Sequence, residues 1–444
     1  MWGGGRMSSD STAIVVGAGI AGLTAAFRLQ QAGFAVRVLE AEAGVGGRMS
    51  SIETDGFVMN RAATVLPGSY RAILDLAAEV GFESLERFDG TLGFVRDGVI
   101  HRMRSDHLAL DGLRTKLLSW GSKLRLGRLA FDALRIRGRL GREHIGAAAD
   151  FDTQTAEEYG ARYFNDEIRD YVIRPVIRGL APDASVVEFF NASINILGAG
   201  FRRYPGGISF VAEALAERLP VTTKAKVLSV QRDGTGARVR WEHAGETHDE
   251  QVDTCVLAVP SVIAAQLYTD VPPRLTEILS TSLRYTTAFI AHFGLSSPPD
   301  EPSMFLMLPH SEDAGMYSLV FDHNLDPDRV PQGKGLLSAA WEHDWCEPRL
   351  ELSDDELIER MLPSVQALVP DVRERLEFTR IDRWRPGVLR GTPGYCAAIA
   401  ELVELLDTTG PIQLAGDFFT TSTTNGSVVA AERAVARLLE LKEP

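Results

Sequence analysis

The first strong pattern along the chain is Ala13-Ile14-Val15-Val16, four apolar residues with no polar alternation. Such a run predicts a short strand buried on both faces, as in a parallel sheet. Gly17-Ala18-Gly19-Ile20-Ala21-Gly22 follows, and Leu23 to Ala32 then reads as a helix closed by Gly33. Ala35 to Leu39 is a second strand, ended by Glu40. Farther on, Val227 to Val259 alternates between apolar and polar residues, with breaks at Gly234-Thr235-Gly236 and Gly245. This predicts a β-meander returning to a parallel strand, Cys255 to Val259, stopped by Pro260. Near the end, Ile412-Gln413-Leu414-Ala415 reads as a strand running into Gly416-Asp417. Asn425-Gly426-Ser427 then opens a helix over Val428 to Leu441.

The glycines give the first strand a chemistry. At G-x-G-x-x-G spacing, Gly17 permits the tight turn, Gly19 lets the backbone approach a pyrophosphate, and Gly22 lets the helix pack on the strand. The helix N-terminus offers N–H groups and a positive dipole end to phosphates. Glu40 stands 23 residues after Gly17, where a carboxylate accepts the hydroxyls of an adenosine ribose and disfavours a 2′-phosphate. A second candidate, Gly198-Ala199-Gly200, lacks the third glycine, and Pro205 soon follows. A second nucleotide site for a nicotinamide is therefore not expected.

The stretch from Glu40 to Gly46-Gly47-Arg48 extends the fingerprint. It resembles the FAD-binding domain of the flavin amine oxidase, protoporphyrinogen oxidase and phytoene desaturase superfamily. Arg203-Tyr204-Pro205-Gly206-Gly207 through Leu215, and the closing Gly416-Asp417, carry the same resemblance. It implies a Rossmann-like α/β FAD-binding domain (parallel sheet plus meander) made of residues 10–90, 203–262 and 383–444. An inserted α+β substrate domain would comprise 91–202 and 263–382. It also implies non-covalent FAD, with Gly17, Gly19, Gly22, Glu40, Gly46, Gly47 and Arg48 at the dinucleotide. Val227 would meet the adenine through its backbone and Asp417 the ribityl chain. Gly416 lies beside Asp417, and Gly426, Ser427 and Val428 would present a helix N-terminus to the flavin's N1/O2 edge.

On the substrate side the residues are less telling. Asp382 to Tyr395 resembles the family strand that brings aromatic residues, here Trp384 and Tyr395, to the flavin. Its Trp…Pro form, with the Asp55-Gly56-Phe57 segment, leans toward the protoporphyrinogen oxidase-like branch; Asn60 stands where an Asp is common. Most amine oxidases of the superfamily carry a Lys on the strand matching Tyr285 to Phe293, which here has none and instead holds His292. His292 reads as a core or pocket-lining residue and secondarily as a proton shuttle. Tyr395 could form one wall of an aromatic cage, but the second wall maps near Thr423. Cys396 lies where some relatives attach FAD covalently; it reads first as a buried apolar cysteine.

Composition sharpens the picture in three places. With 46 basic and 60 acidic residues the net charge is −14, which argues against a general nucleic-acid binder. Three distant cysteines form no disulfide framework or zinc spacing and suggest a reducing cytosol, and no metal site is expected. Residues 114–142 nevertheless hold nine basic residues against one acid, Asp132. Leu113, Leu117, Trp120, Leu124, Phe131 and Leu134 interleave near helical spacing. The segment reads as a helix lying on anionic lipid at the inner face of a membrane, as a frame for an acidic substrate, or as a solvated face over a small core stripe. No apolar run is long enough to span a bilayer.

The resemblance thus implies an FAD-dependent oxidase or dehydrogenase. It would take hydride from a hydrophobic substrate of porphyrinogen or polyene type, with oxygen or a quinone as acceptor. An amine oxidase forming an imine and hydrogen peroxide is the alternative, and a flavin-dependent isomerase without net redox a second. The oligomeric state is not legible.

Overall fold

The computed structural model describes residues 11–140, 144–196, 200–406, 409–420 and 422–441. Its first sheet has five parallel strands in the order Ile412–Leu414, Thr254–Leu257, Thr12–Val16, Ala35–Leu39 and Val221–Thr222. The central strand is apolar from Ala13 to Val16 because both its faces are covered. Ala13 and Val15 point into one core and Ile14 and Val16 into another, as the two-residue period requires. The first core is roofed by the helices Ile20–Gln31, Phe210–Ala216 and Thr424–Glu440. Arg28, almost wholly buried, ties this layer together: it donates to Glu79 and Glu432 on two other helices. The second face carries the antiparallel meander Lys226–Asp233, Gly236–His243 and Glu246–Val252.

A second, seven-stranded sheet draws its strands from 91–104 and 288–384. It is antiparallel except where Ser303–Met307 pairs with Thr91–Arg96. On the strand Ala288–Leu295, Phe289, Ala291, Phe293 and Leu295 pack with Leu357, Met361 and Val365 of the helix Asp354–Leu368. The opposite face therefore carries His292, which lies across from Ser338 on the neighbouring strand. Helices between 108 and 196 fill the remaining insertion.

Several expected boundaries move. The first helix begins at Ile20, because its N-cap is Gly19 itself. The last begins at Thr424, where the Thr423 hydroxyl accepts from the Gly426 N–H, so Gly426 and Ser427 lie inside its first turn. The expected strand Tyr285 to Phe293 is two: Arg284–Tyr285 pairs with Leu389–Arg390, and Ala288–Leu295 joins the large sheet. Tyr395 starts a helix, Tyr395–Leu406, rather than extending the strand Leu376–Trp384. Gly198, Ala199 and Arg142 lie outside the described residues; Gly200 opens no helix.

The basic segment also departs from a core stripe. The helix Trp120–Arg137 turns Ser122, Leu126, Leu129, Ala133 and Ile136 inward. At about 100° per residue, Trp120, Leu124, Phe131 and Leu134 fall on its opposite side. They are 70%, 81%, 57% and 71% exposed, and Leu113 is exposed beside them. Leu117 alone of the six expected apolar positions is buried. No helix among the described residues is long and apolar enough to cross a membrane.

Candidate functional site

The site begins at the turn after the first strand. Gly17 has φ +97°, and a Cβ there would stand 2.7 Å from the Ala258 carbonyl oxygen. A Cβ on Gly22 would stand 1.9 Å from the Gly17 carbonyl oxygen, so helix and turn touch through bare backbone. Gly19 is different: a Cβ there would meet nothing within 4 Å. The space in front of Gly19, at the N-terminus of the helix Ile20–Gln31, fits the close approach of a phosphate. Glu40 closes the far side, accepting from the Ala18 N–H at 2.6 Å and the Glu42 N–H at 2.9 Å. The Ala225 N–H donates to the Glu40 carbonyl, which sets the meander's first strand and Val227 beside this carboxylate.

Gly46 and Gly47, both with positive φ, turn the chain so that Gly46 bridges to Gly19 and Arg48 points to the end of the sheet. There Arg48 forms a two-pronged pair with Asp417, at 2.8 and 3.0 Å, and donates to the Gly387 carbonyl at 2.8 Å. Asp417 follows Gly416 at the end of the strand Ile412–Leu414 and also accepts from Tyr285 and Ser422. The Tyr285 phenol is pushed well above its ordinary range by burial and by the neighbouring Asp417 carboxylate. Two residues far apart in sequence and expected at different parts of FAD are thus brought into direct contact. The N-terminus of the helix Thr424–Glu440, with Gly426, Ser427 and Val428, lies a few residues beyond. The glycine turn, the ribose-side carboxylate, the Arg48–Asp417 pair and this helix end together fit a dinucleotide flavin.

The substrate-side candidates separate. The Trp384 indole N–H donates to the Arg61 carbonyl at 2.9 Å, and the Arg61 guanidinium lies over its ring. Arg61 also donates to Asp382 at 2.7 Å. His292 is fully buried: Nδ1 lies 2.8 Å from the Ser338 hydroxyl and Nε2 3.5 Å from Asp382 Oδ2. Ser338 in turn donates to Asp322, which pairs with buried Arg329 at 2.9 Å. Burial pushes the Asp382 carboxyl up, but His292 and Arg61 outweigh it and hold it at about 2. His292 therefore sits in a charged network under the large sheet rather than at an open pocket wall.

Tyr395 does not face solvent. It is buried and donates its hydroxyl to Glu188 on the helix Val186–Ile196. Cys396 is fully buried in the same helix turn, and burial raises its thiol far above the ordinary range. It packs as an apolar residue, as do Cys255 and Cys346; all three are free. Glu188 is the residue that sequence reading missed. One apolar helix, Val186 to Ile196, contains a single acid at its first turn, where a helix-dipole reading would have hidden it. No cluster that could hold a metal occurs among the described residues.

These features define the class: an FAD-dependent oxidoreductase. The family model for flavin containing amine oxidoreductase matches residues 20–439, and the chain belongs to that family. It is 26% identical to a mitochondrial protoporphyrinogen oxidase of Nicotiana tabacum over 177 residues, 39% of this chain and 33% of that protein. It is 23% identical to protoporphyrinogen oxidase 2, chloroplastic/mitochondrial, of Arabidopsis thaliana over 288 residues, 54% of each chain. These matches span about a third and about half of the relatives' own length. Wild-type putrescine oxidase bound to putrescine shares the fold with a TM-score of 0.75 at 21% identity, covering 97% of this chain and 99% of that one. FAD is the cofactor that this family membership and the site require.

Proposed function

We propose that the protein oxidises a hydrophobic organic substrate of porphyrinogen or polyene type. When bound, FAD supplies the hydride acceptor, and oxygen or a quinone takes the electrons onward. Arg48 and the N–H groups behind Gly17, Gly19 and Gly22 would hold the pyrophosphate and Glu40 the ribose. The Val227 backbone would meet the adenine, and Asp417 the ribityl chain. Gly426, Ser427 and Val428 would offer a positive helix end to the flavin ring. Trp384, fixed by Arg61, lies beside the substrate space. The division into 10–90, 203–262 and 383–444 against 91–202 and 263–382 belongs to this proposal, with one adjustment: the strand Leu376–Trp384 pairs within the substrate-side sheet.

The observation that carries this reading over simple amine oxidation is the fate of the aromatic-cage positions. Tyr395 is buried against Glu188, and Thr423 caps a helix, so these two positions do not offer a pair of rings to an amine. The strand Ala288–Leu295 also carries no lysine. Anaerobic mixing tests the reading: a porphyrinogen or polyene should bleach the flavin absorbance. Bleaching by amines alone moves the assignment to amine oxidation, and turnover without net bleaching or acceptor use moves it to isomerisation. Acid precipitation should leave a yellow supernatant, since Cys396 is sealed in the core.

The helix Trp120–Arg137 adds a partner to the proposal. Its outward apolar stripe is flanked by the exposed cations Arg125, Arg128, Arg135 and Arg137. In a molecule of net charge −14 this combination suits an anionic lipid surface, which a lipophilic substrate would share. A cytoplasmic placement with peripheral contact at the inner membrane face is proposed with it.

A further inference from the structure

We propose that an arginine-lined basin beside the helix Trp120–Arg137 binds the phosphate of an anionic phospholipid. The inference rests on the reading above that this face of the molecule meets anionic lipid. It assigns a defined headgroup contact, outside that helix, to a surface otherwise described by its apolar stripe.

The basin is open, about 430 Å³ in volume, and lined chiefly by Thr91, Arg102, Arg104, Asp111, Arg114 and Thr115. One side is the strand Val99–Arg104, last in the large sheet and paired with Thr91–Arg96. The two-residue period turns Met103 inward there and sends Arg102 and Arg104 out together. The other side is the helix Leu108–Arg114, with Thr115 after it. Carboxylates hold two of the arginines in fixed orientations. Arg102 donates through Nε and Nη2 to Glu301, at 3.0 and 2.6 Å. Arg104 grips Asp111 in the same edge-on way, at 3.0 and 3.1 Å, and its backbone N–H donates to the same carboxylate. Neither fork is exhausted, since a guanidinium carries more N–H groups than the two used here. Asp111, the one acid in the lining, is thus occupied by Arg104, and three arginines face one carboxylate. Thr115 Oγ1 accepts from the Leu117 N–H at 3.1 Å, so its own O–H donates elsewhere.

The surroundings point to what the anion is attached to. The helix Leu108–Arg114 carries three leucines and has no buried residue. Leu110 and Leu113 are exposed at the edge of the basin. Apart from Leu441, all the exposed large apolar side chains of the described residues lie between Val99 and Leu134. Lys123 joins the two helices into one surface. Its Nζ donates to the Leu113 and Thr115 carbonyls, at 2.8 and 2.6 Å, and lies 4.8 Å from the centroid of the Trp120 ring. The basin and the apolar stripe are therefore held side by side, with leucines between them. Trp at such a boundary suits the headgroup level of a bilayer, where one end of the ring is apolar and the other wet.

The ligand chemistry follows from this pairing. An arginine fork matches two oxygens of one phosphate, which a lysine of the same charge does not. A molecule of net charge −14 can approach an anionic surface only where its local charge is reversed, as it is here. A zwitterionic headgroup would bring its own cation to the arginines. Free phosphate would fill the basin alone, whereas a phospholipid would also cover Leu110 and Leu113, and the experiment separates the two.

Flavin-loaded protein is titrated in a calorimeter with dihexanoyl phosphatidylglycerol below its micelle concentration, with dihexanoyl phosphatidylcholine, and with inorganic phosphate. The phosphatidylglycerol should bind saturably and at least tenfold more tightly than either of the others. Arg102→Lys combined with Arg114→Lys keeps the charge but removes two forks. It should weaken that binding at least tenfold, leaving the flavin spectrum and Tm unchanged. If loss of the Glu301 pair lowers Tm, Arg114→Lys alone serves instead and should weaken binding about threefold. The inference is overturned if the anionic lipid does not saturate, if either control binds as tightly, or if the lysine variants bind as the wild type does. Failure of the membrane reading looks different: phosphatidylglycerol vesicles leave the wild type in solution, whatever the short-chain lipid does.

Discussion

The glycine turn after the first strand, proposed to hold the nucleotide, and the large sheet, proposed to lie on the substrate side, are built from different kinds of residue. Around the first strand, function depends on what is missing: side chains at Gly17, Gly19 and Gly22. Around the large sheet it depends on side chains that meet across long stretches of chain: Arg61 with Asp382, and His292 with Ser338. The first kind is set by spacing within one turn. The second appears only when the fold is assembled.

The largest expected effect breaks the nucleotide side. Gly22→Ala places a Cβ 1.9 Å from backbone that has nowhere to go. We expect no folded flavoprotein, or a Tm lower by more than about 10 °C. Gly19→Ala is the matched control. Its φ of −69° suits any residue and its Cβ meets nothing. The apoprotein Tm should stay within about 2 °C while FAD affinity falls about tenfold, because the added methyl occupies the phosphate approach. Equal destabilisation by the two substitutions would refute the division of labour between these glycines. Thermal unfolding of the apoproteins and fluorescence titration with FAD measure it.

The same contrast explains what the sequence could show. The strand, turn, helix and Glu40 lie within thirty residues, and each position answers to a local rule. Reading them therefore placed the start of the parallel sheet and the cofactor, as the alternation over Val227 to Val259 placed the meander. Tyr395 could not be placed that way. As one more aromatic after a Trp it looked like a flavin wall, but Glu188, 207 residues earlier, claims its hydroxyl. His292 sits on an alternating strand either way, and only the strands bearing Ser338 and Asp382 decide that its face is sealed. The exposed stripe on the helix Trp120–Arg137 was legible as an apolar period. Which of that helix's two apolar faces meets the core depends on neighbours the period does not name.

On the substrate side, Asp382→Ala is the next largest perturbation. It strips the acidic partner from Arg61 and leaves His292 Nε2 facing an empty cavity. A lost buried charge pair of this kind costs about 3 kcal/mol. The pH dependence gives the sign. The Asp382 carboxyl is held at about 2, below its ordinary 3.8. Its stabilisation is therefore complete above pH 3.8 and disappears as pH falls through about 2. Urea unfolding at pH 6, 4 and 3 should show the gap between wild type and variant shrinking toward acid. A gap that stays constant would mean that Asp382 contributes packing rather than charge. Because the Gly19 and Gly22 substitutions act through sterics, their effects should not change over this range.

The smallest effect on stability, and the most selective on behaviour, is expected where the substrate side meets solvent. Trp120→Glu, Leu124→Glu and Phe131→Glu combined alter side chains that are more than half exposed, so each should change folding stability by no more than about 0.5 kcal/mol. Removing a core stripe would cost several times as much, which makes the stability readout a direct test of which helix face is inside. The buried face through Ser122, Leu126, Leu129, Ala133 and Ile136 is untouched by these changes. Binding to vesicles of phosphatidylglycerol should nevertheless be lost in a sedimentation assay. Wild-type binding should be weaker on phosphatidylcholine and should fall as salt rises, since each basic residue near an anionic surface contributes about 1 kcal/mol that salt screens. Salt-independent binding that the triple variant retains would assign the stripe no role at the lipid surface. The flavin spectrum should be the same in the variant as in the wild type, because the stripe lies on the far side of the helix from the core it shares with Tyr395 and Phe418.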